Sequence, residues 1–430
     1  MVSVCFYFQV HQPLRVRKYS IFDIGKNNNY FSDNSETSLN NVKVLRKVSE
    51  KCYIPMNALL LELLEKHPEF KVSFSFSGVY LEQLEKHAPE VLLSFKKLVD
   101  TGRVEILGET YYHSLSFLFS KGEFFEQVKK HEELIQRIFG KTPRVFRNTE
   151  LIYNNELAKN IEGMGYIGII AEGAPFILGW RSPNYIYSPV NTQRIKLILK
   201  NYKMSDDIAF RFSERNWAEW PLTASKYAQW INSVNGGGEM VNLFMDYETF
   251  GEHQWESTGI FDFMRQFPEE ILKNPDNNFK TPSELAESYP SRGVFDSPGF
   301  ISWADIERDL SAWLGNEIQN AAIKKVYSLG FKILKTQNSE LIDKWRKLQT
   351  SDHFYYMCTK WFSDGDVHKY FNPYQSPYDA FISYMNVLQD LELRTDEILN
   401  EKKLSVGKFK SNIYKENSLT NKRGDFNGGN

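Results

Sequence analysis

Asp246 and Glu248 stand two residues apart at the end of an apolar run, Val241 to Met245, and Phe250, Gly251, His253 and Trp255 follow them. Side chains alternate along a strand, so if that period persists the two carboxylates share a face, and Gly251 permits a close backbone approach. One acidic residue after a strand can simply cap the next helix. Two on one face, beside an imidazole and an indole, are equipped for acid–base chemistry. Glu150 also follows a short strand, in Arg147-Asn148-Thr149-Glu150, where a surface glutamate opening the next helix would look the same. Glu105 alternates with Val104 and Ile106, so it faces either a polar lumen or solvent. His11, before Gln12-Pro13, and His113, after Tyr111-Tyr112, end apolar runs and suit either a site or a structural hydrogen bond. No His-Glu-x-x-His pair, glycine-rich phosphate loop or Cys-x-x-Cys occurs, which removes the commoner zinc, nucleotide and redox readings.

Elements that could bring these residues together recur along the first 255 positions. Seven apolar runs, Val2 to Val10, Phe70 to Phe76, Val104 to Leu107, Arg144 to Phe146, Tyr166 to Ile170, Ile195 to Leu199 and Val241 to Met245, each end in polar or aromatic residues. Amphipathic helices separate them, such as Lys121 to Phe139 between Ser120 and Gly140. Alternation of strand and helix predicts a mainly parallel sheet, and seven units with chemistry at the strand ends predict a barrel close to (β/α)8 in design. In such a barrel His11, Glu105, Glu109, His113, Glu150, Glu172 and Asp246 converge on one mouth, and a pair of carboxyl groups is the minimum equipment for glycoside hydrolysis.

Beyond about residue 255 the strand signal fades. Helices are expected over Ser257 to Phe267, from the capping box Thr281-Pro282-Ser283-Glu284, from Ser302 to about Leu329, and from Ser376-Pro377 onward, with Phe381, Tyr384, Met385, Leu388 and Leu391 on one face. The expected organisation is a barrel over 1–260, a helical bundle over 261–402 and a disordered tail over 403–430.

Bulk properties narrow the partners. Fifty-two basic against 54 acidic residues give a net charge of -2 without a basic stripe, which argues against nucleic acid. No apolar run is long enough to span a bilayer, and Met1 to Cys5 lacks the features of a secretion signal, so a cytoplasmic protein is expected. Cys5, Cys52 and Cys358 are odd in number and far apart, as reduced thiols are. The 15% aromatic share is high and suits a site that stacks on sugar rings.

His11-Gln12-Pro13, Gly102-Arg103-Val104-Glu105-Ile106-Leu107, the Thr149-Glu150 segment, Asp246-Tyr247-Glu248-Thr249-Phe250-Gly251 and the stretch Ser302-Trp303-Ala304-Asp305 to Trp313 resemble, in order, the five signature regions of glycoside hydrolase family 57. The resemblance implies an incomplete (β/α)7 barrel followed by a helical domain, acting on α-glucans with retention of configuration. It places Glu150 at the nucleophile and Asp246 at the general acid/base. It also places His11 and Glu105 at substrate or supporting positions, and Trp303, Asp305 and Trp313 in the helical contribution to the site. With His113 and Glu248 from the strand ends, these seven are the expected substrate-binding residues.

The segment Asp352 to Met357, continued by Trp361 to His368, is expected to close the cleft. The function expected is an α-1,4-glucan hydrolase of the α-amylase type, needing neither metal nor cofactor. A 4-α-glucanotransferase would use the same carboxylates, a metal-dependent polysaccharide deacetylase would use the His and Asp residues as ligands, and an idle glucan-binding protein would use none.

Overall fold

Residues that alternate between two apolar environments make the central strand. Along Val2–Val10 every side chain is buried: Val4, Phe6, Phe8 and Val10 pack outward against helices, while Cys5 and Tyr7 pack inward with Phe244 and Ile198. The computed structural model describes residues 1–35, 38–360 and 367–421. Its strands are β1 (Val2–Val10), β2 (Val72–Phe76), β3 (Val104–Ile106), β4 (Val145–Arg147), β5 (Gly168–Glu172), β6 (Ile186–Pro189), β7 (Lys196–Lys200), β8 (Met240–Asp246), β9 (Asn277–Phe279) and β10 (Val294–Phe295).

One parallel sheet runs β3-β2-β1-β8 and a second runs β4-β5-β7, with β6 antiparallel on β7. At one seam Gly108 donates to the Val145 carbonyl (2.9 Å) and accepts from Arg147 N (2.8 Å), so β3 leads into β4. At the other, Asn201 N donates to the Asn242 carbonyl (2.9 Å) and the Asn242 amide reaches the Leu199 carbonyl (2.8 Å), with no strand ladder between β7 and β8. The seven predicted strands therefore curl, in the order β8-β1-β2-β3-β4-β5-β7, into an incomplete (β/α)7 barrel. The helix Pro282–Ser288, opened by its capping box at Thr281, presses Leu285 and Ala286 into the barrel's inner core.

Strands β6, β9 and β10 depart from the sequence expectation, being two to four residues long, with Pro in β6, Asn in β9 and only the pair Val294-Phe295 in β10. The helix expected from Ser302 is also corrected. Residues 302–309 are irregular, Asp305 and Arg308 have φ of 55° and 49°, and helices cover Ser311–Leu314 and Glu317–Thr336. Ser302 does not cap: its hydroxyl donates to the Asp309 carbonyl (2.6 Å), while Asn316 supplies the cap that starts the longer helix.

The helical half is built around Trp313, Trp345, Leu348, Leu388 and Leu391, and it shares that core with Val16, Tyr19 and Tyr30 from the loop after β1. Tyr30 donates to Asp390 (2.6 Å), fastening this loop to the last helix. That helix, Pro377–Asn421, extends over residues for which a tail was expected, and 422–430 lie outside the described residues. No helix among the described residues is long and apolar enough to cross a membrane.

Candidate active site

Each barrel strand delivers one inward polar residue at or just beyond its carboxyl end: Gln9, Ser75, Glu109, Arg147, Glu172, Lys200 and Asp246. Parallel strands all end at the same mouth, so groups scattered over 237 positions become neighbours. Around them the chain adds residues that follow the strand ends.

Glu150 sits two residues past Asn148 in a tight turn where both it and Leu151 take left-handed backbone, with φ of 57° and 50°. That conformation costs roughly 1–2 kcal/mol per residue without a glycine, so surrounding contacts must hold it. Trp303 does so twice, its backbone N–H donating to the Glu150 carbonyl (3.2 Å) and its indole N–H to Glu150 Oε2 (2.8 Å). Ser351 Oγ and His113 Nε2 each stand 3.2 Å from Oε1. Burial pushes the Glu150 carboxyl up, but the His113 hydrogen bond and charge and the Arg147 guanidinium outweigh it, holding the group below its usual 4.5.

His113 joins two carboxylates, with Nδ1 3.8 Å from Glu109 and Nε2 on Glu150. Burial alone would lower its pKa. The two acidic partners reverse the sign and carry it to about 9, so it is an imidazolium at neutral pH. Glu109, itself fully buried and opposed by burial, is drawn down to about 2 by His113, Arg147 and His131. Asp246 moves the other way. Burial and then the Glu150 charge raise it to about 6, despite Arg147, His113 and Lys200.

His11 stacks on His113, with centroids 4.0 Å apart and planes 16° apart, and its nitrogens meet Ser77 Oγ (2.6 Å) and Asp352 (3.0 Å). Among the described residues His11, His113 and Asp352 are the group whose potential ligand atoms lie within 4.8 Å of one another. Both nitrogens of each ring are already engaged, those of His11 by Ser77 and Asp352 and those of His113 by Glu150 and, at 3.8 Å, Glu109. This donor set does not fit a zinc seat, which needs convergent neutral imidazoles. Dialysis against a chelator is expected to leave the rate within about twofold; a hundredfold loss restored by zinc would overturn this reading of the pair.

Of the other residues singled out in the sequence, Trp303 joins the mouth. Glu248 lies beside it, buried, accepting from Tyr53 and raised to about 8 by burial and the Asp246 charge, hence neutral at pH 7. Glu105 does not join. It lies four residues before the mouth residue Glu109, at the barrel floor, where it accepts from Ser283 N (2.9 Å) at the start of the helix Pro282–Ser288. Its expected place on the substrate is corrected accordingly: a strand residue's height in the lumen, and not only its face, decides what it meets. Asp305 pairs with His368 (2.8 Å) and Lys360 (3.3 Å). Trp313 is 1% exposed in the helical core, 6.4 Å from Tyr355, and offers no platform to a sugar. The cleft-closing segment falls partly at 361–366, outside the described residues.

Sequence reasoning gave no site role to Arg147, Lys200 or Ser351, and placed Asp352 in the cleft-closing segment without a partner. The first two were visible as the charged last residues of apolar strands; Asp352 stood out only as the start of the cleft-closing segment, and nothing local pairs it with His11, 341 positions away.

Gly251, at φ 107°, keeps the loop after β8 against the helices: a Cβ there would stand 1.9 Å from the Lys51 carbonyl oxygen. Gly251→Ala is expected to destabilise by about 2–4 kcal/mol through strain and displacement, visible as a fall in thermal midpoint. An unchanged midpoint would show that the loop can yield.

The sequence profile of Glycosyl hydrolase family 57 matches residues 5–299. A Methanocaldococcus jannaschii protein provisionally named an alpha-amylase is 44% identical over 407 residues, covering 92% of this chain and 85% of that protein. The Pyrococcus furiosus alpha-amylase is 26% identical over 59% of this chain, which spans only 38% of that larger enzyme. Among solved structures, the family 57 branching enzyme of Thermococcus kodakaraensis superimposes with a TM-score of 0.64 at 14% identity, over 86% of this chain and 87% of that one.

Proposed function

Because the chain belongs to glycosyl hydrolase family 57, we propose that it is a retaining, α-amylase-type enzyme that hydrolyses α-1,4 bonds of starch- or glycogen-like glucans. The observation that carries this reading is that the surroundings of two carboxyl groups in one mouth push them in opposite directions, Glu150 below and Asp246 above the usual carboxyl range. The His113 hydrogen bond and charge, the Arg147 guanidinium and the Trp303 indole favour the Glu150 carboxylate, whereas burial and the Glu150 charge raise Asp246 to about 6, so that it carries its proton below that pH. Environments that push two carboxyls apart assign a nucleophile and an acid.

In the first step Glu150 attacks the anomeric carbon while Asp246 protonates the departing oxygen, leaving a glycosyl ester on Glu150. In the second, Asp246, now a carboxylate, takes a proton from water as that water attacks the ester. His113 and Trp303, donating to Glu150, stabilise it as the leaving carboxylate. Digestion of maltoheptaose with product sizing tests the reading: shorter products with the α-anomer first are expected. Products longer than the substrate would identify a 4-α-glucanotransferase, the name borne by a Thermococcus kodakarensis relative 23% identical over 59% of this chain.

The pH dependence follows with a definite sign. Asp246 must carry its proton, so kcat/KM is expected to fall as pH rises through about 6. Glu150 must lack one, so the acid limb lies below the usual 4.5. His113 stays charged to about 9 and adds no limb between. A kcat/KM profile that is flat from pH 5 to 8 would contradict Asp246 as the acid.

A further inference from the structure

Trp303 carries the hydrogen bond to Glu150 on an irregular segment, without helix or strand to fix its ring. Two cations lie over that ring instead: Arg147, its guanidinium carbon 5.2 Å from the centroid, and Lys200, its ammonium 5.3 Å away. Both come from strand ends of the barrel, so a rigid scaffold holds what the loop cannot. We propose that Lys200 is a positioning residue for the reaction, acting through Trp303 to orient and polarise the indole N–H that holds Glu150. This rests on Glu150 being the nucleophile.

Lys200 is built into its place. It is 5% exposed, with its ammonium 3.2 Å from Asp206 and 3.8 Å from Glu172. Glu172 is wholly buried, its carboxylate oxygens make no hydrogen bond among the described residues, and Arg308 approaches it at 4.0 Å. Anchoring a lysine between two carboxyls leaves its position over the indole fixed rather than free to snorkel outward.

A cation on the ring face draws π density from the indole, making the N–H a stronger donor, and it occupies space that a stacked sugar would need. Trp303 is then a partner of the nucleophile rather than a sugar platform. Around Glu150 the other groups are His113, Arg147, Asp246, Asp352 and Ser351; of these Asp246 is itself lowered by the Lys200 charge, so replacing Lys200 should also raise the basic limb that Asp246 sets.

The test compares Lys200→Met, Lys200→Arg and Trp303→Phe in the full chain, using an aryl maltooligosaccharide glycoside across pH. Lys200→Met is expected to lower kcat roughly tenfold with KM within about twofold, and to move the acid limb of kcat/KM upward as Glu150 loses support for its charge. Lys200→Arg, which keeps a cation over the ring, should restore the acid limb. Trp303→Phe keeps the ring and loses the donor, and should move the limb further. If Lys200→Met proves unstable, Lys200→Met/Glu172→Gln removes the stranded carboxylate and is read in the same way. An acid limb unchanged from the parent in the folded lysine variant would overturn the proposal, whatever happens to kcat. Glu150→Gln in the same assay keeps the two questions apart: if it stays active the nucleophile assignment has failed, and if it is inactive an unchanged Lys200→Met limb condemns only the positioning role.

Discussion

Glu150→Gln is expected to lower kcat on maltoheptaose by ~10⁴-fold or more while glucan affinity, measured by calorimetry, changes little. The amide matches the carboxylate in shape, and its oxygen can still accept from Trp303 Nε1 or His113 Nε2, so the strained turn at residues 150 and 151 keeps its supports. What disappears is the negative charge that attacks the anomeric carbon. A second effect follows from the same loss. Burial is the first cause of the raised Asp246 pKa and the Glu150 charge the second, so the variant's Asp246 should titrate below about 6. Turnover within tenfold of the parent would mean that another carboxyl is the nucleophile, and Glu172, buried and raised to about 7, would be the first to test.

Asp246→Asn should behave differently according to the leaving group. With maltooligosaccharides, whose departing oxygen needs a proton, the rate should fall by roughly 10²–10⁴. With an aryl glycoside bearing an activated leaving group the first step needs no proton, but the second still lacks its base. A glycosyl-enzyme should therefore accumulate on Glu150 and be seen as an added mass on the intact protein. The basic limb near pH 6 should vanish with the group that causes it. A label mapped to Glu172 or Glu248, or a first step, read as the burst of leaving group or as kcat/KM, as impaired with the activated substrate as with the natural one, would show the division of labour to be wrong.

Much of the framework was legible in the chain. Barrel strands are covered on both faces, by helices outside and packed side chains within, so each of the seven reads as an apolar run that ends in polar residues. Positions such as Glu150 and Asp246 stand out because they interrupt that hydrophobicity where a strand must stop. Arg147 and Lys200 obeyed the same rule, and only the expectation of carboxylates and imidazoles hid them. Strand β9, Asn277-Asn278-Phe279, left no such trace, since it pairs β1 through backbone groups that any side chain carries.

The sequence by itself determined which residues end the strands and therefore which could meet at the mouth. Tertiary structure decided their height, their partners and their charge. Glu105 and Glu109 are alike in the chain and four positions apart, yet one accepts from Ser283 at the floor while the other faces His113 at the mouth. Asp352 reaches His11 across 341 positions, and Trp303 reaches Glu150 across 153. Protonation was the least legible property. It depends on how much water each carboxyl has lost and which charges stand within a few ångströms, and both quantities come into being only when distant segments are packed together.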